Sequence, residues 1–338
     1  MGIRKNRDNM VESYGYRKPY IVVVPCVQCC NFLHQNFSTY FNTLGFLNLG
    51  YLAKDNPYFG ATVGRVANRI GKGRFKIDDA EYNVVKNIGE NTLHGGKVGW
   101  SHKVWDAVVQ GDLVIMTLSS EDGDQGFPGT VLATVVFKLC DDGGLTVEMK
   151  AATTKKTVIN LTNHSYFNLA GHGANSTELY KHTVSINADR WTVTDKDSIP
   201  TGEIRNVDDS IFDLRQQTLL GKVINQVPGG GYDYNFCLPG QPDYKTKFVA
   251  KVVHPDSGRT LEVFSNQPGV QFYTSNSLPD SNKALPGKKG HTYSKHGALC
   301  LETQNYPDAM NHKNFPNSIL QPNDQYYHVV TYKFTVQA

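Results

Sequence analysis

The sequence predicts an all-β protein, a large antiparallel β-sandwich, and three observations carry that expectation. Apolar and polar residues alternate at period two through many short runs, the runs are separated by turn-forming residues, and no βαβ rhythm interrupts them. In 112–120, Val114, Met116 and Leu118 share one face; in 145–151, Leu145, Val147 and Met149 oppose Thr146, Glu148 and Lys150. Comparable runs occupy 103–110, 130–139, 156–162, 181–188, 246–254, 258–264, 269–275, 297–302 and 326–336. Their separators, EDGDQG (121–126), DDGG (141–144) and HPDSG (254–258), are turn chemistry, and 31 Gly and 15 Pro supply more of it. One short helix is expected over 217–227, where Leu220, Val223, Ile224 and Val227 fall on a single helical face.

The chain has 338 residues, enough to bury a large core, and shows neither an internal repeat nor a low-complexity linker. A single domain over 48–338 is the simplest organisation, with residues 1–47 set apart as an atypical segment. The formal charge of +3 is small, and no basic block exceeds short runs such as GKKGH (287–291), which argues against a nucleic-acid surface. The apolar run YIVVVPCV (20–27) is too short to span a bilayer and contains Pro25. It also starts late for a signal peptide, so the reading is a cytoplasmic protein with no membrane partner. Cys140, Cys237 and Cys300 are isolated in apolar surroundings and read as reduced thiols. The cluster Cys26, Cys29 and Cys30 lacks a second pair at zinc-site spacing. The 18 Tyr and 16 Phe are expected mainly at strand core and edge positions.

Two segments carry candidate chemistry. NHSYFNLAGHG (163–173) puts His164 after a strand-like run and before a Gly- and Asn-rich turn, where a side chain faces a cleft. In ALCLETQNYPDAMNH (298–312), Glu302 ends the apolar run Ala298–Leu301. A positioned histidine and a positioned glutamate suit general acid–base catalysis, and mutual attraction would hold them as imidazolium and carboxylate. His102, His172, His182, His296 and His312 read as surface or strand residues, and HTYSKH (291–296) lacks the third partner that a metal site needs.

Further segments complete a set: NPYFGATVGRVANRIGKGRF (56–75), NTLHGGKVGWSHKVW (91–105), DGDQGFPG (122–129), GYDYNFCL (231–238), PGVQFYTSN (268–276) and QPNDQYYHVVTYKFTV (321–336). In this order, with the two segments above, the chain from about 48 to 338 resembles the aldose 1-epimerase (galactose mutarotase) family. The resemblance implies a galactose mutarotase-like supersandwich that interconverts the α and β anomers of a free aldohexose without a cofactor or a metal. It implies Glu302 as the base acting on the C1 hydroxyl and His164 as the acid acting on the ring oxygen. His94, Asn68, Arg69, Asp233 and Gln271 are implied as substrate-binding positions. The expected partner is a small aldose, and the expected state a monomer or weak dimer.

Residues 1–47 depart from the family pattern, which returns abruptly at Asn48. They are expected to pack loosely or to replace only partly the first strands of such a sandwich. Two other functions fit the same fold: a hexose-6-phosphate epimerase, which would want a basic cluster near C6 of the sugar, and a catalytically impaired sugar-binding protein. The second has no use for an acid–base pair. Polarimetry on freshly dissolved α-D-galactose and α-D-glucose separates all three.

Overall fold

The computed structural model describes residues 57–240 and 245–336. The expectations for residues 1–47, for the cysteine cluster at 26–30 and for a boundary at 48 lie outside these residues.

Two antiparallel sheets form the body. The larger has nine strands in the order Thr218–Leu219, Thr183–Ile186, Lys247–His254, Arg259–Ser265, Tyr326–Val336, Gly144–Thr153, Val131–Leu139, Leu113–Ser120 and Asp106–Gln110. The smaller has six: Tyr166–Phe167, Leu299–Gln304, Gly269–Tyr273, Asp233–Cys237, Arg190–Thr194 and Pro200–Asn206. The alternation at 145–151 takes effect as read, since Val147 and Met149 are 1% and 0% exposed and join the main core. That core fills the space between the sheets, with Val135, Phe137, Val263 and Tyr332 from the larger meeting Phe236, Val270, Phe272, Leu299 and Leu301 from the smaller. Each such fully buried apolar side chain stabilises the fold by about 1.5–3 kcal/mol relative to exposure.

The same alternation makes the six-stranded sheet two-faced. Val270 and Phe272 point into the core, so Gln271 and Tyr273 point away; Leu299 and Leu301 point in, so Cys300 and Glu302 point away; Phe236 points in, so Asp233 and Asn235 lie opposite. Loops cover this second face. One is held by Arg65, 1% exposed, whose guanidinium donates to the carbonyls of Pro128 and Gly129 at 2.8 Å and to Ser120 Oγ at 2.7 Å. Six carbonyl and hydroxyl acceptors in a dry site account for a charge that burial would otherwise exclude, and burial lowers its pKa to about 10. The staple ties the 64–70 segment to the DGDQGFPG loop.

The helix expected over 217–227 is shorter than the pattern suggests. Thr218–Leu219 is an edge strand, Leu220–Val223 a single α-turn, and Ile224–Gln226 a 3₁₀ turn, with Leu220, Ile224 and Val227 buried. Gly221 inside the run lowers helix propensity and lies close against Tyr180. Several strands escaped the alternation reading, among them Arg190–Thr194, Asp233–Cys237 and Pro200–Asn206, whose Pro200 and Gly202 look like a turn. As an edge strand it tolerates both. The hairpin Arg74–Ile77 with Ala80–Asn83 was likewise unread as strand.

The histidines assigned to surface or strand positions need correction. His172, His182 and His296 are buried at 5%, 0% and 5% exposure, and none lies within a strand. His182 accepts from the Leu169 amide at 2.9 Å and lies 2.9 Å from the Glu178 carbonyl, tying two loops together. Their side-chain partners are local polar groups that sequence spacing does not show. His296 bonds Tyr180 Oη at 2.7 Å, whereas His291 stacks edge-on to His172, so HTYSKH splits between two environments.

Candidate active site

Four strands and two loop segments bring their side chains together on the covered face of the six-stranded sheet. Glu302 sits in the middle of the strand Leu299–Gln304, not at its end, and its register partner is Gln271. His164 closes the short strand Thr162–His164, paired with Ala61–Val63. Asp233 opens the strand Asp233–Cys237. Asn68, Arg69 and His94 come from the facing loops, where the two-residue pair Arg69–Ile70 and Thr92–Leu93 keeps them together.

The contacts run through all seven sequence-derived residues. Arg69 Nη2 lies 3.4 Å from Asp233 Oδ2, and Gln271 Nε2 donates to Asp233 Oδ1 at 2.7 Å. The Asn68 amide donates to His94 Nδ1 at 3.1 Å, while Asn68 Oδ1 accepts from the Arg69 amide at 2.9 Å. Asn68 does this at φ 62°, a left-handed conformation that asparagine tolerates. With Nδ1 of neutral His94 accepting, its proton sits on Nε2, which then serves as a donor. His164 Nε2 is 3.6 Å from Glu302 Oε1, and the His94 and His164 rings are 5.4 Å apart.

Burial governs the charges. Glu302 is 2% exposed and His164 4%. Burial, then the Asp233 carboxylate, pushes the Glu302 carboxyl well above its usual range, and Arg69 pulls back more weakly. Burial lowers His164 to about 3 and holds His94 well below the usual histidine value, with His164 and Arg69 adding to the latter. This differs from the sequence-based picture of a carboxylate beside an imidazolium. At 3.6 Å the pair is too long for a direct hydrogen bond, and desolvation outweighs its attraction. The directions of the two shifts place the single proton of the pair on Glu302.

Buried polar atoms without a partner mark where a ligand's hydroxyls would be received. Among the described residues they include Glu302 Oε2, His164 Nδ1, Gln271 Oε1 and Arg69 Nε, all within the seven. One nitrogen each of His94 and His164 and one Glu302 oxygen lie within 4.8 Å of one another, close enough to hold a metal ion. Reasoning on sequence overlooked three aromatic neighbours. Tyr58, Tyr166 and Tyr273 place their rings 5.9, 4.9 and 6.3 Å from that of His164. Tyr166 and Tyr273 left a signal, because period two puts them on the same side as His164 and Gln271.

A family profile described as Aldose 1-epimerase matches residues 43–333. The chain is 47% identical to the galactose mutarotase of Bos taurus over 294 residues, covering 87% of this chain and 83% of that one. It is 46% identical to the Homo sapiens galactose mutarotase with the same coverage, and 33% identical to the aldose 1-epimerase of Escherichia coli K12, covering 83% and 81%. The solved structure of an aldose epimerase homologue from C. elegans superposes with a TM-score of 0.80 at 29% identity, covering 88% of each chain.

Proposed function

This chain belongs to the aldose 1-epimerase family, and on that premise we propose that its buried Glu302–His164 pair opens and recloses the ring of a free aldohexose, galactose or glucose, to interconvert the α and β anomers. The observation that carries the reading is a carboxyl and an imidazole 3.6 Å apart, dry, beside an Arg69–Asp233–Gln271 network.

Ring opening removes the proton of the C1 hydroxyl, forms the C1=O1 double bond, breaks C1–O5 and adds a proton to O5. Glu302 takes the first proton and His164 gives the second. This leaves a protonated carboxyl, a neutral imidazole and an open-chain aldehyde. The C1–C2 bond turns by about half a revolution, and the reverse transfers close the ring on the other face. No proton is gained or lost overall. The starting tautomer, carboxylate and imidazolium, contains the same single proton that burial places on Glu302. Sugar hydroxyls donating to the unpartnered Glu302 Oε2 stabilise the carboxylate and return that proton to His164. Arg69, Asp233, Gln271, His94 and Asn68 hold the hydroxyls and fix the sugar between base and acid. Catalysis by this route uses side chains alone.

We place the catalytic unit within 48–338 and the protein in the cytoplasm as a monomer or weak dimer, with no nucleic-acid or membrane partner; among the described residues no helix is long and apolar enough to cross a membrane. Polarimetry tests the chemistry. Wild type should speed mutarotation of fresh α-D-galactose or α-D-glucose, and Glu302→Gln and His164→Gln should each lose about 10²-fold or more in kcat. Either variant keeping more than roughly a tenth of wild-type activity removes its residue from the primary role.

A further inference from the structure

His164 is enclosed on both faces. Tyr166 lies flat against one, with centroids 4.9 Å apart and planes 10° from parallel, and Tyr58 covers the imidazole at 5.9 Å and 16°. The two tyrosines are built as one unit. Tyr166 Oη donates to the carbonyl of Pro57 at 2.8 Å, so the ring that stacks on His164 also holds the residue preceding Tyr58. Tyr58 adopts φ 67°, and its carbonyl accepts from Ala61 at 3.0 Å, turning the chain back so that the Gly60 amide donates to the His164 carbonyl at 2.8 Å. Behind Tyr166, Phe59 packs edge-on at 4.7 Å and Tyr293 and Cys300 complete an apolar wall. Among the described residues, Glu302, the edge of His94 and the edge of Tyr273 at 6.3 Å also face the imidazole, and Arg69 and Asp233 lie one contact further on.

We propose that Tyr166 and Tyr58 form an aromatic clamp that positions His164 and supplies the electron-rich ring faces its cation requires during catalysis. The proposal rests on the acid role of His164. Once burial has removed water, a proton on the imidazole has few stabilising partners. Glu302 lies 3.6 Å away, beyond direct hydrogen-bond reach, and neutral His94 offers only a donor. Two ring faces attract a flat cation without abstracting its proton, and the attraction strengthens where water is excluded. Flat stacking also fixes the imidazole plane, so Nε2 stays aimed at the reacting oxygen while the sugar's C1–C2 bond rotates. The tyrosines touch His164 and act through it, as positioning residues.

Leucine and phenylalanine substitutions test the clamp. Tyr166→Leu and Tyr58→Leu keep apolar bulk and remove the ring face. Each should lower kcat roughly three- to thirty-fold, with KM changing less than kcat. Tyr58→Phe and Tyr166→Phe restore the ring face and should recover most of that loss. Recovery by Phe and failure by Leu supports the clamp. Leu variants with kcat within about twofold of wild type, or Phe variants as impaired as Leu, overturn it. Tyr58 is only half-buried, so its Leu variant decides the question if Tyr166→Leu fails to fold. His164→Gln is measured alongside: if it stays active, the acid assignment has failed, whereas an inactive His164→Gln with unaffected Leu variants removes the clamp alone.

Discussion

Replacing Glu302 with Gln should stabilise the protein at neutral pH while abolishing turnover. The two carboxyl oxygens become a carboxamide of nearly the same shape, so packing in a site 2% exposed is conserved and only the titrating proton is removed. In the folded wild type, burial and Asp233 hold the carboxyl well above its ordinary value; in the unfolded chain it ionises near pH 4.3, the reference value for glutamate. Below that pH both states carry the proton and the substitution changes nothing by this route. As pH rises further the unfolded state gains by ionising and the folded state does not. Wild type therefore loses about 1.4 kcal/mol of stability per pH unit relative to Glu302→Gln, until the folded carboxyl itself ionises. Arg69, which favours the charged form, brings that ceiling lower than burial alone would set it. Urea denaturation of both proteins at several pH values between 5 and 7 measures the slope. His164 titrates in both proteins and cancels to first order. A difference that stays flat across this range would show Glu302 ionised in the folded protein and would refute the argument from burial.

Three further outcomes follow from the same geometry. Because one proton on the pair is the competent state, kcat/KM should be level across mid-range pH, falling near pH 3 as His164 gains a second proton and, at the alkaline side, above the raised Glu302 value; limbs at the ordinary glutamate and histidine values would contradict this. Asp233→Asn removes the carboxylate that Arg69 and Gln271 address, so KM should rise roughly ten- to a hundredfold, and the alkaline limb should move to lower pH because Asp233 is one of the groups raising Glu302. Activity should survive exhaustive chelation, and added zinc should inhibit by bridging His94, His164 and Glu302; loss on chelation with recovery on zinc addition would make the metal a participant.

The strand runs were legible because half-buried sheet imposes a period of two that local sequence must obey. Runs at 112–120, 130–139 and 326–336 appear as Leu113–Ser120, Val131–Leu139 and Tyr326–Val336. Where that constraint relaxes, the reading failed: Pro200–Asn206 is an edge strand with one unpaired side, free to keep Pro200 and Gly202, and 217–227 splits into a strand end and two tight turns. The identities of the seven site residues came from matching motifs, since nothing in the alternation distinguishes Glu302 from a strand-terminating surface carboxylate.

The amino-acid sequence by itself determined which residues could do acid–base chemistry and which faces of the strands would seek a core, because both are properties of side-chain type and spacing. Only the tertiary structure decided where the protons reside and what surrounds them. Gln271 and Glu302 are far apart in the chain yet become register partners, and Arg69 reaches Asp233 across 164 residues. Electrostatic energies depend on distance and on water exclusion, and both are set by loops that fold over the sheet. His164 carries the same imidazole at every stage. Burial makes it neutral, and Tyr58 and Tyr166, brought together across the turn at Gly60, give it the walls between which it works.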